Sequence, residues 1–294
     1  MTDIREIEDL AVLFDDKDEV VSRCVDKSII ELGREVIPQL EELRRKSQDL
    51  DFKRLLSHRI FAYNAKFRIL DLARLSSGKT ALPFNLYEGS FLISSMLNPQ
   101  IERSQFEDAF FQCAFEFRQE ISSQRTAIEN MGLFNHIFFH RLRFSICDQQ
   151  ITTEKNASIY ETLRSRRGNP FTVAIIYMMM AEEAGLPLYP LCFQGGFIPA
   201  YVEKGRELFY ANLFQNGEIF NESKLKDYMI EQGMSLDHAR FLIRRNTVLL
   251  NIYLESLIYL YGNLEASRSL AIAQEALNAL GGERFLETND KQED

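Results

Sequence analysis

The chain has little of what several functional classes require. It has no basic excess: 34 Lys and Arg stand against 43 Asp and Glu in 294 residues, a net charge of −9. That balance repels phosphate backbones and anionic membrane surfaces, and it argues against nucleic-acid or membrane partners. No apolar run approaches the length of about 20 residues that a bilayer crossing needs. The first residues, MTDIREIEDLAVLFDDKDE, are acidic where a secretion signal is basic and then apolar, so a cytoplasmic protein is expected. Cysteine is sparse: Cys24, Cys113, Cys147 and Cys192 lie far apart with no CxxC pair, which predicts reduced thiols and no zinc site. No linker rich in Pro, Gly or Ser divides the chain, and no fixed period persists over three units, so a solenoid is not supported.

What is present is enough apolar sequence, 46%, to build a substantial core. Apolar residues recur three and four apart in Val20–Leu32, Val36–Leu43, Leu55–Leu75, Leu82–Leu97 and Phe106–Ile121, which predicts a helical array. After Pro187 the pattern shortens to LYPLCF, FIPAYVE, ELFYANLF and GEIF, separated by QGG, EKGR and QNG. These runs predict antiparallel strands. Helical periodicity returns at Leu225–Ile230, Arg240–Tyr261 and Glu265–Leu280, the last two as a hairpin, and the tail ETNDKQED is polar. The fold class expected is α+β, predominantly α-helical.

The most organised stretch is RRGNPFTVAIIYMMMAEEAGLP, Arg166 to Pro187. Asn169 suits an N-cap, Pro170 the first helical position, and Gly185 followed by Pro187 a stop, which bounds a helix near 170–184. Apolar residues cover nearly every face of it, so it should be central and buried, with its methionines filling core.

The segment RSRRGNPFTVAIIYMMMAEEAGLPLYPLCFQGGFIPAYV resembles the SirB-type branch of the transglutaminase-like superfamily. The matching residues include Asn156, Arg166, Arg167, Gly168, Pro170, Tyr177, Ala181, Gly185, Leu186, Pro187, Gly195 and Phe197. The order of parts agrees too: a helical region at 1–125, a transglutaminase-like core with a small sheet at 126–232, and a tetratricopeptide-like helix pair at 233–294. The resemblance implies a bacterial protein; catalytic transglutaminases carry a Cys, a His and an Asp at three positions, the first of which is Pro in the SirB-type branch. Here Pro170 stands at the nucleophile position, Gly196 at that of the His and Asn212 at that of the Asp. Such groups act as a unit, so the resemblance implies a catalytically inactive protein that binds a peptide or protein partner, with no cofactor.

Thr172 is a hydroxyl without a nearby His and suits a capping role. Cys192, on the strand before QGGF, is the thiol of an alternative, a cysteine-dependent peptidase or acyl transferase, with Cys147 as a second candidate; strand alternation equally allows Cys192 to face the core. His136 and His140 have chelating spacing but no neighbouring Glu, so a structural or surface role is expected and no metal is assigned. His58 and His238 are isolated. Arg166 and Arg167, with Asn169 and the free N–H groups of the helix start, either hold an anion or pair with Glu161 or Glu182.

Overall fold

In the computed structural model, residues 4–77, 84–147, 153–193, 195–231 and 242–286 are described. The chain begins with four helices, α1 (Ile4–Val12), α2 (Glu19–Leu32), α3 (Val36–Lys46) and the long α4 (Leu50–Ser76). Side chains placed as N-caps set their starts. Asp18 accepts from Val20 N, and Asp49 accepts from both Asp51 N and Phe52 N, satisfying donors that no intrahelical carbonyl can reach. Then follow α5 (Leu86–Leu97), α6 (Arg103–Arg118) and α7 (Ala127–Asn135). α7 opens with a capping box between Thr126 and Glu129 and runs into a π-helical turn, His136–Arg141.

The central region contains β1 (Ser145–Ile146), α8 (Glu154–Ala157), α9 (Ile159–Ser165), β2 (Arg167–Gly168) and α10 (Pro170–Glu183). Next come β3 (Leu188–Phe193), β4 (Gly196–Glu203), β5 (Arg206–Asn212), a 3₁₀ turn at Leu213–Gln215, β6 (Glu218–Phe220) and α11 (Glu222–Glu231). The chain closes with β7 (Leu242–Ile243), α12 (Val248–Asn263) and α13 (Ser267–Ala279). β1 and β2 pair in parallel, while the larger sheet is antiparallel in the order β6-β5-β4-β3-β7. Helix makes up 67% of the structure, as the periodicity predicts. Among the described residues, no helix is long and apolar enough to cross a membrane.

The two largest of four apolar clusters among the described residues organise most of these elements. One gathers α1 to α4, from Ile7 to Phe67. The other runs from Ala65 on α4 to Leu277 on α13, so α4 contributes to both. At the centre of the second lies α10, in which every residue from Thr172 to Ala181 is buried. It packs against α5, α6, α9, α12 and β3. Its apolar residues face all directions because it has neighbours on all sides.

One expected element differs. The predicted helix at Arg240–Tyr261 begins only at Val248, because Leu242 and Ile243 pair with Cys192 and Leu191 as an edge strand and Arg244 N bonds Pro190 O at 2.9 Å. Apolar spacing alone does not separate a two-residue strand from a first helical turn. The start at Leu82 expected for the helix over Leu82–Leu97 falls outside the described residues; α5 starts at Leu86, where Asn85 accepts from Glu88 N.

Candidate functional site: a cavity at the start of α10

The turn before α10 is built by side chains that fix its backbone. Arg166 closes α9 in the left-handed conformation, with φ of 64°. β2 then runs beside β1, placing Arg167 opposite Ser145 and Gly168 opposite Ile146. Gly168 is required by space: a Cβ there would lie 2.6 Å from Thr162 Oγ1. Asn169 N donates to Asn156 O at 2.8 Å. Asn169 Oδ1 accepts from Thr172 N at 2.8 Å and from Thr172 Oγ1 at 2.9 Å. The Thr172 hydroxyl, fully buried, is thus occupied in the cap. Pro170 follows as the first helical residue, where its missing N–H leaves nothing unpaired.

In front of this turn lies a cavity of about 310 Å³. Pro170, Phe171 and Ala174 of α10 form one wall, the β3–β4 turn and Phe197 to Pro199 a second, and Ala211 to Phe214 a third, with Ile146, Phe220 and Tyr228 completing it. Pro170, Gly196 and Asn212, which are distant in sequence, meet here. Among the described residues, none that lines the cavity carries a formal charge. Asn212 is committed locally: its Oδ1 accepts from Phe214 N at 3.0 Å and its Nδ2 donates to Gln215 Oε1 at 3.1 Å. Gly196 is not compelled by packing, since a Cβ there would meet only the Phe193 ring, at 3.9 Å. The volume is at the small end of pockets that bind ligands, which run from about 300 to 1,000 Å³. Two large apolar side chains stand exposed at the lining, Phe214 at 62% and Tyr228 at 36%.

The other candidate residues lie elsewhere. The Arg166 guanidinium turns inward, donating to Leu163 O, reaching Cys113 Sγ at 2.6 Å and lying 5.1 Å from the Phe144 ring centre. Arg167 is exposed, and neither arginine lines the cavity. Neither acid considered as their partner contacts them: Glu161 pairs with Arg164 at 3.7 Å, and Glu182 accepts from Leu86 N at 2.9 Å. Cys192 is 3% exposed, packs with Val248 and Ile252, and does not line the cavity. Burial pushes its thiol up to about 12, with nearby Arg244 only partly opposing the shift. Cys147 is half-buried, with its Sγ 3.5 Å from Gly168 O. His136 and His140 are exposed with ring centres 5.5 Å apart. Among the described residues no group of three His, Cys, Asp or Glu could hold a metal ion. His238 lies outside the described residues.

A buried polar relay beside the cavity was not foreseen. Tyr177 on α10 donates its hydroxyl to Asn135 Oδ1 at 2.6 Å, and Asn135 Nδ2 donates to Gly217 O at 2.6 Å. Gly217 N in turn donates to Asn212 O at 2.9 Å. The relay fixes the β5–β6 turn, whose 3₁₀ segment supplies Leu213 and Phe214 to the cavity wall. Complete burial raises the Tyr177 phenol well above its ordinary value, so it stays a donor. Asn135 inside the apolar run MGLFNHIFF was the signal that could have revealed it.

Residues 104–246 match the model of the transglutaminase-like superfamily, and that span contains every residue lining the cavity. A transglutaminase-like domain therefore carries the site. A relative, a UPF0162 protein of Vibrio cholerae serotype O1 (strain ATCC 39315 / El Tor Inaba N16961), is 22% identical over 145 residues, or 49% of this chain and 53% of the relative. The similarity thus spans about half the length of each. No solved structure matches the chain.

Proposed function

We propose that this protein is a SirB-type member of the superfamily, cytoplasmic and catalytically inactive, that uses the cavity to bind a protein or peptide partner. The observation that carries the reading is the meeting of Pro170, Gly196 and Asn212 in one cavity where no described residue of the lining has a charged side chain, a thiol or an imidazole. Acyl transfer through a thiol needs a nucleophile, a base and an orienting group within hydrogen-bond reach. Proline offers no nucleophile, glycine no base, and the Asn212 amide already bonds its own turn. What the cavity offers is an apolar, aromatic surface with Phe214 and Tyr228 exposed, which suits an uncharged apolar side chain carried on a chain segment.

The alternative, a cysteine-dependent peptidase or acyl transferase using Cys192, has less support. A nucleophilic thiol needs thiolate character and access, and Cys192 has burial and a raised pKa instead. The two readings separate in a selection from a random peptide library on the immobilised protein. The binding reading expects recovered peptides rich in bulky uncharged side chains and unchanged in mass after prolonged incubation. Recovery of cleaved peptides, or of peptides acyl-linked to the protein, would favour the enzyme.

A further inference from the structure

The chain after α13 returns to the cavity region and is held there by four kinds of contact. Glu255, buried on α12 at 5% exposure, accepts the amide N–H of Phe285 at 2.7 Å and of Leu286 at 2.9 Å on its two carboxylate oxygens. Gly195 N donates to Phe285 O at 3.3 Å. Arg244 pairs with Glu283 at 3.1 Å and lies 5.8 Å from the centre of the Phe285 ring. Phe285 and Leu286 pack on Cys192, Val248 and Ile252, the same cluster that supports Phe171 and Phe197. Glu255 engages two consecutive amides with its two carboxylate oxygens, so it is the main polar anchor of the segment.

The placement of these contacts determines what the segment can do. Gly195, Phe171 and Phe197 line the cavity, whereas none of Glu283 to Leu286 does. The segment therefore backs the cavity wall and does not plug it. It grips the β3–β4 turn through Gly195 and shares an apolar cluster with the two wall aromatics. Without it, Phe171 and Phe197 would lose part of their support and the turn would lose a backbone hydrogen bond. A preformed wall binds better than one that must be ordered on binding.

We propose that Glu283–Leu286 is a latch that holds the cavity in its binding shape, so that latch closure and cavity occupancy reinforce each other. The inference rests on the cavity being a binding site. Thermodynamic reciprocity makes it testable from both ends: if the latch strengthens binding, binding must strengthen the latch by the same factor.

The probe is Nile red, a neutral apolar fluorophore, titrated into the full chain. Phe285→Ala is expected to weaken its binding by about fivefold or more, with Glu255→Gln acting in the same direction. In the unmodified protein, saturating probe is expected to slow hydrogen exchange at the Phe285 and Leu286 amides by a similar factor, a readout that needs no variant to fold. Unchanged exchange overturns the latch, and so does tighter binding by Phe285→Ala, which would make the segment a plug. Ala174→Phe, which fills the cavity, separates the two levels. If it binds the probe as well as the unmodified chain, the cavity reading fails and the latch with it. If it abolishes binding while exchange at the latch of the unmodified chain is insensitive to probe, only the latch fails.

Discussion

Replacing Asn135 by Ala should destabilise the protein by about 2–4 kcal/mol, through the loss of two buried hydrogen bonds and not through lost apolar contact. The Tyr177 hydroxyl would be left as a buried donor without its acceptor, at about 1–3 kcal/mol, and Gly217 O would lose a bond worth about 0.5–1.5 kcal/mol. Tyr177→Phe leaves the converse defect, an unsatisfied Asn135 Oδ1, and should also cost about 1–3 kcal/mol. The decisive quantity is their combination. With both side chains changed neither orphan remains and only the Gly217 O bond is lost, so the double variant should be less destabilised than the sum of the singles by about 2 kcal/mol or more. The chain contains no Trp, so urea unfolding is best followed by far-ultraviolet circular dichroism, with the slopes compared to confirm that only stability has changed. Additive losses, or an Asn135→Ala cost below about 0.5 kcal/mol, would show that the relay does not hold the β5–β6 turn against α10.

Other expectations can be checked in the same preparations. Gly217→Ala should cost several kcal/mol, since its φ of 79° disfavours a side chain and its Cβ would collide with Asn135 Oδ1; a stable variant would contradict the packing described for that turn. Cys24 is exposed whereas Cys192 is buried, so a thiol reagent should label Cys24 at once and Cys192 only as the protein unfolds; fast native labelling of Cys192 would revive the enzyme reading. Glu182 gives a pH dependence. Burial raises its carboxyl above the ordinary 4.5, with the bonds from Leu86 N and the Asn246 side chain partly opposing this. The folded protein then binds this proton more readily than the unfolded chain does. The resulting stability is fully present below about 4.5 and is lost as pH rises through the folded value. Relative to Glu182→Gln, the unmodified protein should therefore gain stability as pH falls from neutral towards about 4.5, and parallel stability curves for the two would refute the assignment.

How much was legible in the sequence depended on whether the signal was local. The start of α10 was: an Asn cap, a Pro at the first helical position and a Gly-Pro stop are interactions within a few residues, and the helix spans Pro170–Glu183. The strands were legible for the same reason, since LYPLCF, FIPAYVE and GEIF are short apolar runs with turn residues between them. The two-residue strand β7 was not, because its existence depends on β3 and not on its own pattern. The destination of Arg166 was equally hidden. A charged side chain beside a helix start reads as an anion ligand, and only the fold shows Leu163 O, Cys113 and Phe144 around its guanidinium. The Tyr177–Asn135–Gly217 relay joins three positions far apart in the chain. A single sequence marks such a relay only by a polar residue where an apolar one is expected.

The central claim is that the cavity at Pro170, Gly196 and Asn212 binds a ligand and does not process one. Its most direct test is the affinity of a library-selected peptide for the unmodified protein and for Ala174→Phe, measured by calorimetry. Ala174 lines the cavity at the first turns of α10, so a Phe there occupies the space without altering any of the three positions. The account expects binding to fall by about tenfold or more, a loss of about 1.4 kcal/mol, with the peptide recovered intact. Equal affinities for the two proteins, or a peptide consumed by the unmodified one, would contradict it.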